Sequence, residues 1–455
     1  MKTIIIGGGI SGLSTAYYLA KAGAPSTIIE PRPRLGGVIQ TEHVDGCTIE
    51  AGPDSFLSVK PAAMDLIREL GLAGDVIGSN DHLRVTFVRK NGRLVPLPDG
   101  LMMMVPTKIL PLVTTGLVSI GTKIRMGMEL LRSPKPPAGD ESVADFVREH
   151  YGQEAVDYLA EPLLSGIYGG DPRQLSVTAV LPRFVEMAAK YGSLTRGVLA
   201  SRAQAPKGQQ SAPLFRTLKG GLGQMTAAVE CAIRGKSDVV CARVETIERT
   251  AAGYRVRVAG NWMDADRVVV ACEAYNAGPL LAALDPRLGE LLGSVQYSSS
   301  MTVAMGYDAA DFARSPVGFG FLVPKKERRR LVACTWVGTK FPNRVPDGKI
   351  VARCFLGGMD DQGVLAESDE SVTQTVIAEL RDIAGVTARP RFTRISRWPK
   401  SMAQYTVGHP KRLKEIESRV AALAGLHVAG NAYQGIGIPD CIRMGRAAAE
   451  KIVAV

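Results

Sequence analysis

Cysteine is scarce and irregularly spaced in this sequence of 455 residues. The seven cysteines form no CxxC pair, so the pattern predicts neither a disulfide framework nor a zinc cluster. Long apolar runs are also missing, because the most apolar one, residues 101–121, contains Lys108 and two prolines and would make a poor membrane-spanning helix. The opening residues MKTIIIGGG leave no room for a signal peptide. Together these absences predict a protein of the reducing cytoplasm.

The composition is that of a globular protein, with 46% apolar and 22% charged residues, and it excludes disordered, collagen-like and coiled-coil classes. The length suggests about three domains, or two with one built from separated segments. A net charge of +11 suits nucleic acid, an anionic membrane surface or a carboxylate-bearing substrate, or simply reflects a basic surface. The basic run 325–330 lacks interleaved aromatic residues and is predicted to be a solvated loop.

The first thirty residues read as a β-α-β unit with a phosphate-binding turn. A GxGxxG pattern lies between the apolar run 3–6 and an amphipathic stretch, and it comprises Gly7, Gly8, Gly9, Ile10, Ser11 and Gly12. Glu30 lies 18 positions after Gly12, at the end of the second predicted strand, where a carboxylate can accept hydrogen bonds from ribose hydroxyls. The spacing therefore predicts a dinucleotide site, with phosphate at the helix N-terminus.

Two further segments favour FAD over NAD as the dinucleotide. Arg34 with Gly36 and Gly37 forms a second glycine turn beside a cation, which suits a cofactor with a long diphosphate tail. Near the C-terminus, the predicted strand 426–429 leads through Gly430 to the turn 435–437 and a helix. The positive end of that helix would stabilise negative charge on a reduced flavin.

The remaining pattern suggests a nucleotide domain interrupted by two insertions. Asn91-Gly92 between two short apolar runs predicts a hairpin, and residues 107–200 read as mostly helical. Alternating apolar segments over 301–356 predict a second sheet, followed by a helix at 370–384. Two loops or linkers are predicted at 134–139 and 201–213.

Five motifs resemble those of the oxygen-dependent protoporphyrinogen oxidase family, which includes coproporphyrinogen oxidases. They are residues 30–37 (EPRPRLGG), 50–56 (EAGPDSF), 161–172 (EPLLSGIYGGDP), 318–324 (GFGFLVP) and 429–437 (AGNAYQGIG). The first is shared with the wider amine-oxidase-like flavoproteins, whereas the GxxGGDP and AGN segments are more discriminating.

The resemblance implies an α/β fold with a Rossmann-like FAD-binding domain of the monoamine oxidase type, a mixed-sheet substrate domain and a helical membrane-associated domain. We expect the FAD-binding domain to comprise residues 1–60, 214–290 and 388–455. The substrate-binding domain would comprise 61–97 and 291–387, and the helical domain 98–213.

The resemblance also implies which residues line the sites. Besides the two glycine turns, Glu30 and Gly430, the expected FAD-binding residues are Gly52, Pro53, Asp54, Val244, Trp398, Ile436, Gly437 and Ile438. Trp398 could equally be a core aromatic. For the substrate, Leu322 and Phe355 match positions that sandwich pyrrole rings, and Gly166 matches one whose carbonyl accepts pyrrole N–H groups.

The propionates of such a substrate require cations, and the nearest candidates are Lys60, Lys90 and Arg93. For any one of them, a solvated surface charge is the alternative. Met102 occupies a place that some family members give to arginine, so this chain departs from the pattern there. No catalytic side chain is predicted, because the pyrrole N–H protons become acidic once the flavin has removed hydrogen. No metal ligand is predicted, because the five histidines show no metal-binding spacing.

The predicted function is the FAD-dependent, oxygen-consuming oxidation of protoporphyrinogen IX to protoporphyrin IX, with release of hydrogen peroxide. The alternatives are oxidation of coproporphyrinogen III, a flavin amine or amino-acid oxidase, and a non-enzymatic binding protein on the same fold. We expect a peripheral location on the cytoplasmic face of the cell membrane, with residues 101–121 as a membrane-facing entrance or, alternatively, as a packed helix. A second copy of the chain and a downstream metallochelatase are candidate partners, and no nucleic acid is expected.

Overall fold

The computed structural model describes residues 2–134, 139–204 and 212–454. The strands of these ranges are, in chain order, β1 (Thr3–Ile6), β2 (Ser26–Ile29), β3 (Thr41–Val44), β4 (Cys47–Glu50), β5 (Phe56–Leu57), β6 (Val76–Gly78), β7 (Thr86–Lys90), β8 (Arg93–Pro96), β9 (Leu101–Met102), β10 (Val105–Pro106), β11 (Phe215–Leu218), β12 (Ser237–Val240), β13 (Val244–Thr250), β14 (Gly253–Val258), β15 (Asn261–Ala265), β16 (Arg267–Val270), β17 (Tyr297–Asp308), β18 (Gly320–Leu322), β19 (Ala333–Trp336), β20 (Lys349–Gly358), β21 (Phe392–Ala403) and β22 (Leu426–Val428).

The helices of the same ranges are α1 (Ile10–Lys21), α2 (Pro61–Glu69), α3 (Ile109–Thr114), α4 (Ile120–Met128), α5 (Val143–Tyr151), α6 (Gln153–Ala155), α7 (Glu161–Tyr168), α8 (Val177–Val180), α9 (Pro182–Tyr191), α10 (Leu194–Ala203), α11 (Gly223–Ile233), α12 (Ala274–Ala282), α13 (Pro286–Gly293), α14 (Val337–Lys340), α15 (Asp369–Ala384), α16 (His409–Ala422) and α17 (Ile438–Val453). A π-helical turn, Val156–Ala160, leads directly into α7.

The chain divides into two units. The first comprises Met1–Ser79, Pro213–Gln296 and Lys411–Val455, and the second comprises Asn80–Ala212 and Tyr297–Pro410. This division assigns residues 61–79 to the unit with the glycine turns and 388–410 to the other, whereas the division into three domains stays a prediction. The predicted linkers at 134–139 and 201–213 fall mainly on residues 135–138 and 205–211, which lie outside the described residues.

The first unit is built on a five-stranded parallel sheet with the order β12-β2-β1-β16-β22. Its central strands are fully buried runs of isoleucine and valine, as expected for parallel strands covered on both faces. Ile5 at the centre pairs with Ile28 on one side and Val269 on the other. Leu13 of α1 and Ile442 of α17 belong to the same buried cluster, so the predicted β-α-β unit and C-terminal helix share one core.

The second unit contains a seven-stranded mixed sheet with the order β21-β17-β20-β19-β18-β7-β8. One face packs against α15, through a cluster that includes Val303, Cys354 and Leu380. The predicted hairpin is confirmed as β7–β8, with Asn91 and Gly92 at positive φ angles of 50° and 73°.

Helices α3–α10 account for the stretch that was predicted to be mostly helical. At its centre the buried carboxylate of Glu129 accepts hydrogen bonds from the backbone N–H of Leu194, at 2.5 Å, and from the Ser193 hydroxyl, at 2.7 Å. Burial alone would raise the pKa of Glu129, but these bonds and one from His150 hold it below its usual value. No helix within the described ranges is long and apolar enough to cross a bilayer.

The prediction of a solvated loop at 325–330 holds for Lys325, Lys326 and Arg329, whose side chains are 40–69% exposed, but Arg328 forms a buried ion pair within the second unit. Arg328 and Glu161 are both about nine-tenths buried and lie 2.8 Å apart. Lys326 pairs with Asp157 at 3.1 Å, and Arg330 pairs with Glu367 at 2.6 Å. Through these ion pairs the basic run contacts the π-helical turn and α7 on one side and the loop between β20 and α15 on the other.

Candidate functional site

The turn between β1 and α1 has the geometry of a phosphate-binding turn. Gly7 donates its N–H to Ile29 O at 2.9 Å, which ties the turn to the end of β2. A Cβ at Gly12 would lie 1.9 Å from Gly7 O, so the turn and the first helical residues approach as closely as only glycine permits. Gly9, at the N-cap of α1, has no side chain to satisfy the first N–H groups of the helix. An anion is the natural partner for these groups.

The second glycine turn lies directly against the first. Gly36 donates its N–H to Gly8 O at 2.9 Å, and a Cβ at Gly37 would lie 3.1 Å from Gly9 Cα. A Cβ at Gly52 would meet Val38 O, which places the predicted segment Gly52–Asp54 beside the same turn. The structure thus brings together three segments that the sequence analysis assigned to one cofactor.

Glu30 and Arg34 both brace these turns. The Glu30 carboxylate is buried and accepts the N–H of Gly8 at 2.7 Å and of Arg32 at 3.1 Å. The Arg34 guanidinium donates to Gly37 O at 2.6 Å and to Leu35 O at 3.3 Å, and its burial lowers its pKa. The sequence analysis missed this bracing, although a charged residue close to a glycine pair is a usable signal for it. Direct contacts of Glu30 with ribose and of Arg34 with phosphate stay predictions.

The C-terminal segment reaches the same edge of the sheet. Gly430 follows β22, which pairs with β16, which in turn pairs with β1, so the carboxyl ends of these parallel strands lie side by side. Gly437 is the N-cap of α17 and Ile438 its first residue. Val244 is buried at the start of β13. These positions agree with a cofactor at the strand ends of the first unit.

Lys60 was a candidate for the propionates, but its ammonium is engaged elsewhere. Its Nζ lies 2.5 Å from Oδ2 of Asp440, in the first turn of α17. The structure therefore places Lys60 among the predicted cofactor residues of the first unit.

The predicted sandwich residues lie in one row across the sheet of the second unit. Leu322 pairs with Ala333, and Ala333 pairs with Phe355, so the three side chains point to the same face. Strands are about 4.8 Å apart, which puts Leu322 and Phe355 roughly 10 Å apart with only a methyl group between them. A flat ring inserted edge-on fits such a slot.

Gly166 lies beside this row and presents an open carbonyl. A Cβ at Gly166 would lie 3.4 Å from the Leu322 side chain. In the last turn of α7, Ser165 O accepts the N–H of Gly169 and Tyr168 O accepts the side-chain amide of Gln404. No donor in the described part of the chain reaches the carbonyl of Gly166. That oxygen is available to an N–H group of a ligand.

Lys90 is held in a network of polar contacts. Its Nζ donates to Leu117 O at 2.7 Å and to the Glu154 carboxylate at 2.9 Å, and it lies over the Tyr158 ring. Burial would raise the pKa of Glu154, but hydrogen bonds from Ser119, Thr122 and Lys90 lower it to about 2. This network ties Lys90 to the helical segment, and its role towards a propionate stays a prediction.

The other two predicted residues of the second unit remain accessible or half-buried. Arg93 is exposed at the start of β8, and its role stays a prediction. Trp398 is half-buried on β21, two residues beyond Ser396, which shares a row with Phe355, so both rings are on one face. The sequence analysis missed Arg353, which lies over the Phe355 ring at 4.6 Å. A cation two positions before Phe355 on one strand was the available signal.

The sequence profile of the flavin-containing amine oxidoreductases matches residues 10–453. The chain belongs to this family. FAD is accordingly the cofactor of this flavin oxidoreductase, and the two apposed glycine turns with the uncapped N-terminus of α1 fit it.

Known relatives of this flavin oxidoreductase match along nearly the whole chain. Coproporphyrinogen III oxidase of Bacillus subtilis is 34% identical over 98% of this chain and 96% of its own. Chloroplastic protoporphyrinogen oxidase 1 of Arabidopsis thaliana is 28% identical over 96% and 85%. A crystal structure from Exiguobacterium sp. 255-15, provisionally named a protoporphyrinogen oxidase, has a TM-score of 0.89 at 32% identity, covering 100% and 98%. The predicted FAD-binding flavoprotein fold is confirmed.

Proposed function

We propose that this flavin oxidoreductase oxidises a porphyrinogen to the corresponding porphyrin in haem biosynthesis. The observation that carries the proposal is the row of Leu322, Ala333 and Phe355 with the Gly166 carbonyl beside it. A porphyrinogen is a large apolar macrocycle with four pyrrole N–H groups, so it needs apolar walls and a hydrogen-bond acceptor. The names of the relatives support the same substrate class.

The residues of this chain would bind and orient the macrocycle. Leu322 and Phe355 would hold a pyrrole ring between them, and the Gly166 carbonyl would accept an N–H and fix which methylene bridge is presented. Bound FAD supplies the two-electron oxidation, with oxygen as acceptor, so that three rounds convert three O₂ to three H₂O₂ and remove six hydrogens. No side-chain base is required, because the pyrrole N–H protons become acidic as oxidation proceeds.

Coproporphyrinogen III is the substrate we favour, because the relatives named for it match most of this chain at the higher identities. Protoporphyrinogen IX, the substrate expected from the sequence, is the second candidate and is supported by the name of the Arabidopsis relative. The two differ by propionate against vinyl at two positions. The exposed Arg93 remains the candidate cation for such a propionate.

The test is to supply each porphyrinogen to the purified protein in air and to measure porphyrin fluorescence above the spontaneous rate. We expect enhancement with three H₂O₂ released per porphyrin, and a higher kcat/KM for coproporphyrinogen III. Turnover of amines with no enhancement for either porphyrinogen would favour the amine or amino-acid oxidase. Colourless protein without flavin absorbance would favour the binding protein.

We also propose that the protein is peripheral on the cytoplasmic face of the membrane, through an apolar surface on α3, α4 and the turn after them. The most exposed residues of this surface are Ile109, Leu110, Ile120 and Leu131, each exposed by 72% or more, and Val113, Ile124 and Met128 extend it. Met104, Val105 and Leu117 of the same stretch are buried. Residues 101–121 therefore contain both exposed apolar side chains and side chains packed in the core. An apolar surface on a basic protein suits anionic lipid.

Flotation with vesicles containing anionic lipid tests this location. Replacing Ile109, Leu110 and Ile120 by serine should abolish flotation, whereas Val317→Ser, which changes an exposed valine elsewhere in the second unit, should leave it unchanged. Equal flotation of all three proteins would refute the membrane role. Association with a second copy or with a metallochelatase stays a prediction.

A further inference from the structure

The ion pair between Lys60 and Asp440 joins two distant parts of the first unit. Lys60 immediately precedes α2, and Asp440 lies in the first turn of α17. The Lys60 side chain is 45% exposed, whereas that of Asp440 is only 11% exposed, with 2.5 Å between Nζ and Oδ2. A half-exposed cation thus covers a largely buried carboxylate.

The Asp440 carboxylate packs against the turn that precedes α17. A Cβ at Gly435, whose φ is +111°, would lie 2.4 Å from Asp440 Cγ, and one at Gly437 would lie 3.2 Å from Oδ2. This is the turn whose residues Ile436 and Gly437 the sequence assigned to FAD. A carboxylate in the first helical turn offsets the positive end of the helix dipole.

We propose that Lys60 is a positioning residue that sets the redox potential of the bound flavin by neutralising Asp440. With Lys60 in place, the N-terminus of α17 keeps its positive potential, which favours the negative charge that the flavin gains on reduction. Without Lys60, the Asp440 carboxylate opposes that charge, so the midpoint potential falls. The proposal rests on FAD binding and does not require the porphyrinogen to be the substrate.

The experiment is a spectroelectrochemical titration of the full-length protein loaded with FAD, without any porphyrinogen. Lys60→Met should raise the ratio of oxidised to reduced flavin by about tenfold at a fixed potential, which for a two-electron couple is about 30 mV. Asp440→Asn should shift the ratio in the opposite direction. The double variant should return close to the wild type, because it removes both charges.

The controls separate this role from folding and from substrate binding. Lys60→Arg should retain the wild-type potential, and Lys21→Met, which breaks an exposed ion pair with Glu69 in the same unit, should not shift it. FAD content and thermal unfolding show whether each variant is folded. An unchanged potential in Lys60→Met, or a shift that Asp440→Asn fails to reverse, would overturn the proposal. A raised KM for porphyrinogen at unchanged potential would instead return Lys60 to the propionate role.

Discussion

The cofactor turns of the first unit are built from backbone atoms, whereas the proposed substrate face of the second unit is built from side chains. Gly36 donates its N–H to Gly8 O, Gly37 lies against Gly9 Cα, and the side chains of Glu30 and Arg34 bond to the same backbone. The row of Leu322 and Phe355 depends on side-chain size, and the loop between β18 and β19 is joined to α7 by the ion pair of Arg328 with Glu161. Substitutions should therefore affect the first region through backbone clashes and the second through lost packing and charge.

The largest effect is expected where a buried charge joins the parts of the second unit. Arg328→Met leaves the Glu161 carboxylate buried without its cation and should lower the free energy of unfolding by about 3–5 kcal/mol. Thermal unfolding monitored by circular dichroism measures this. Arg329→Met is the matched control, because Arg329 is 69% exposed and should change stability by less than about 0.5 kcal/mol. A similar loss of stability in Arg328→Met and Arg329→Met would contradict a stabilising role of the buried ion pair with Glu161.

The backbone region is tested by Gly12→Ala. The added Cβ would lie 1.9 Å from Gly7 O, and overpacking of this kind costs about 1–3 kcal/mol. FAD binding, measured by flavin absorbance and by titration of the apoprotein, should weaken roughly 10- to 100-fold. Gly74→Ala is the control, because a Cβ there meets open space. Normal FAD content in Gly12→Ala would mean that the turn adapts.

The side-chain region is tested by Ala333→Leu, which fills the slot between Leu322 and Phe355. We expect kcat/KM for the porphyrinogen to fall by about tenfold or more, because leucine adds three carbon atoms and a single methylene in a fitted pocket already changes it by about 10- to 200-fold. The FAD spectrum should stay unchanged, since Ala333 is not among the predicted FAD-binding residues. Loss of flavin together with activity would contradict this expectation, because FAD binding would then depend on a side chain of the row.

The smallest effect is expected from acid. The pKa of Glu154 is about 2 in the folded protein and would be near its ordinary value when unfolded, so its stabilising contribution is complete above about pH 4.5 and is lost as the pH falls towards 2. Urea midpoints at pH 7, 4 and 3 should therefore decline less steeply in Glu154→Gln than in the wild type. An equal decline in both proteins would assign the acid sensitivity to other carboxylates.

The sequence predicted the first region well because its signals are local. The fingerprint from Gly7 to Gly12, the acid at Glu30 and the adjacent strands all lie within one β-α-β unit. It gave no sign of the ion pairs of Lys60 and Lys90, whose partners Asp440 and Glu154 lie 380 and 64 positions away. A cation carries no mark of a distant carboxylate, so the charges seemed available for a substrate. The same holds for the ion pairs of the basic run 325–330.

The π-helical turn Val156–Ala160 determines how α7 is rotated about its own axis. Each residue in a helix advances the direction of the side chains and carbonyls by about 100°. Removing one residue from this turn would rotate α7 by that angle and would move the Gly166 carbonyl away from Leu322. The count of residues between α6 and α7, rather than any single side chain, thus determines which oxygen faces the slot. A chain with a different count would present a different backbone carbonyl beside Leu322.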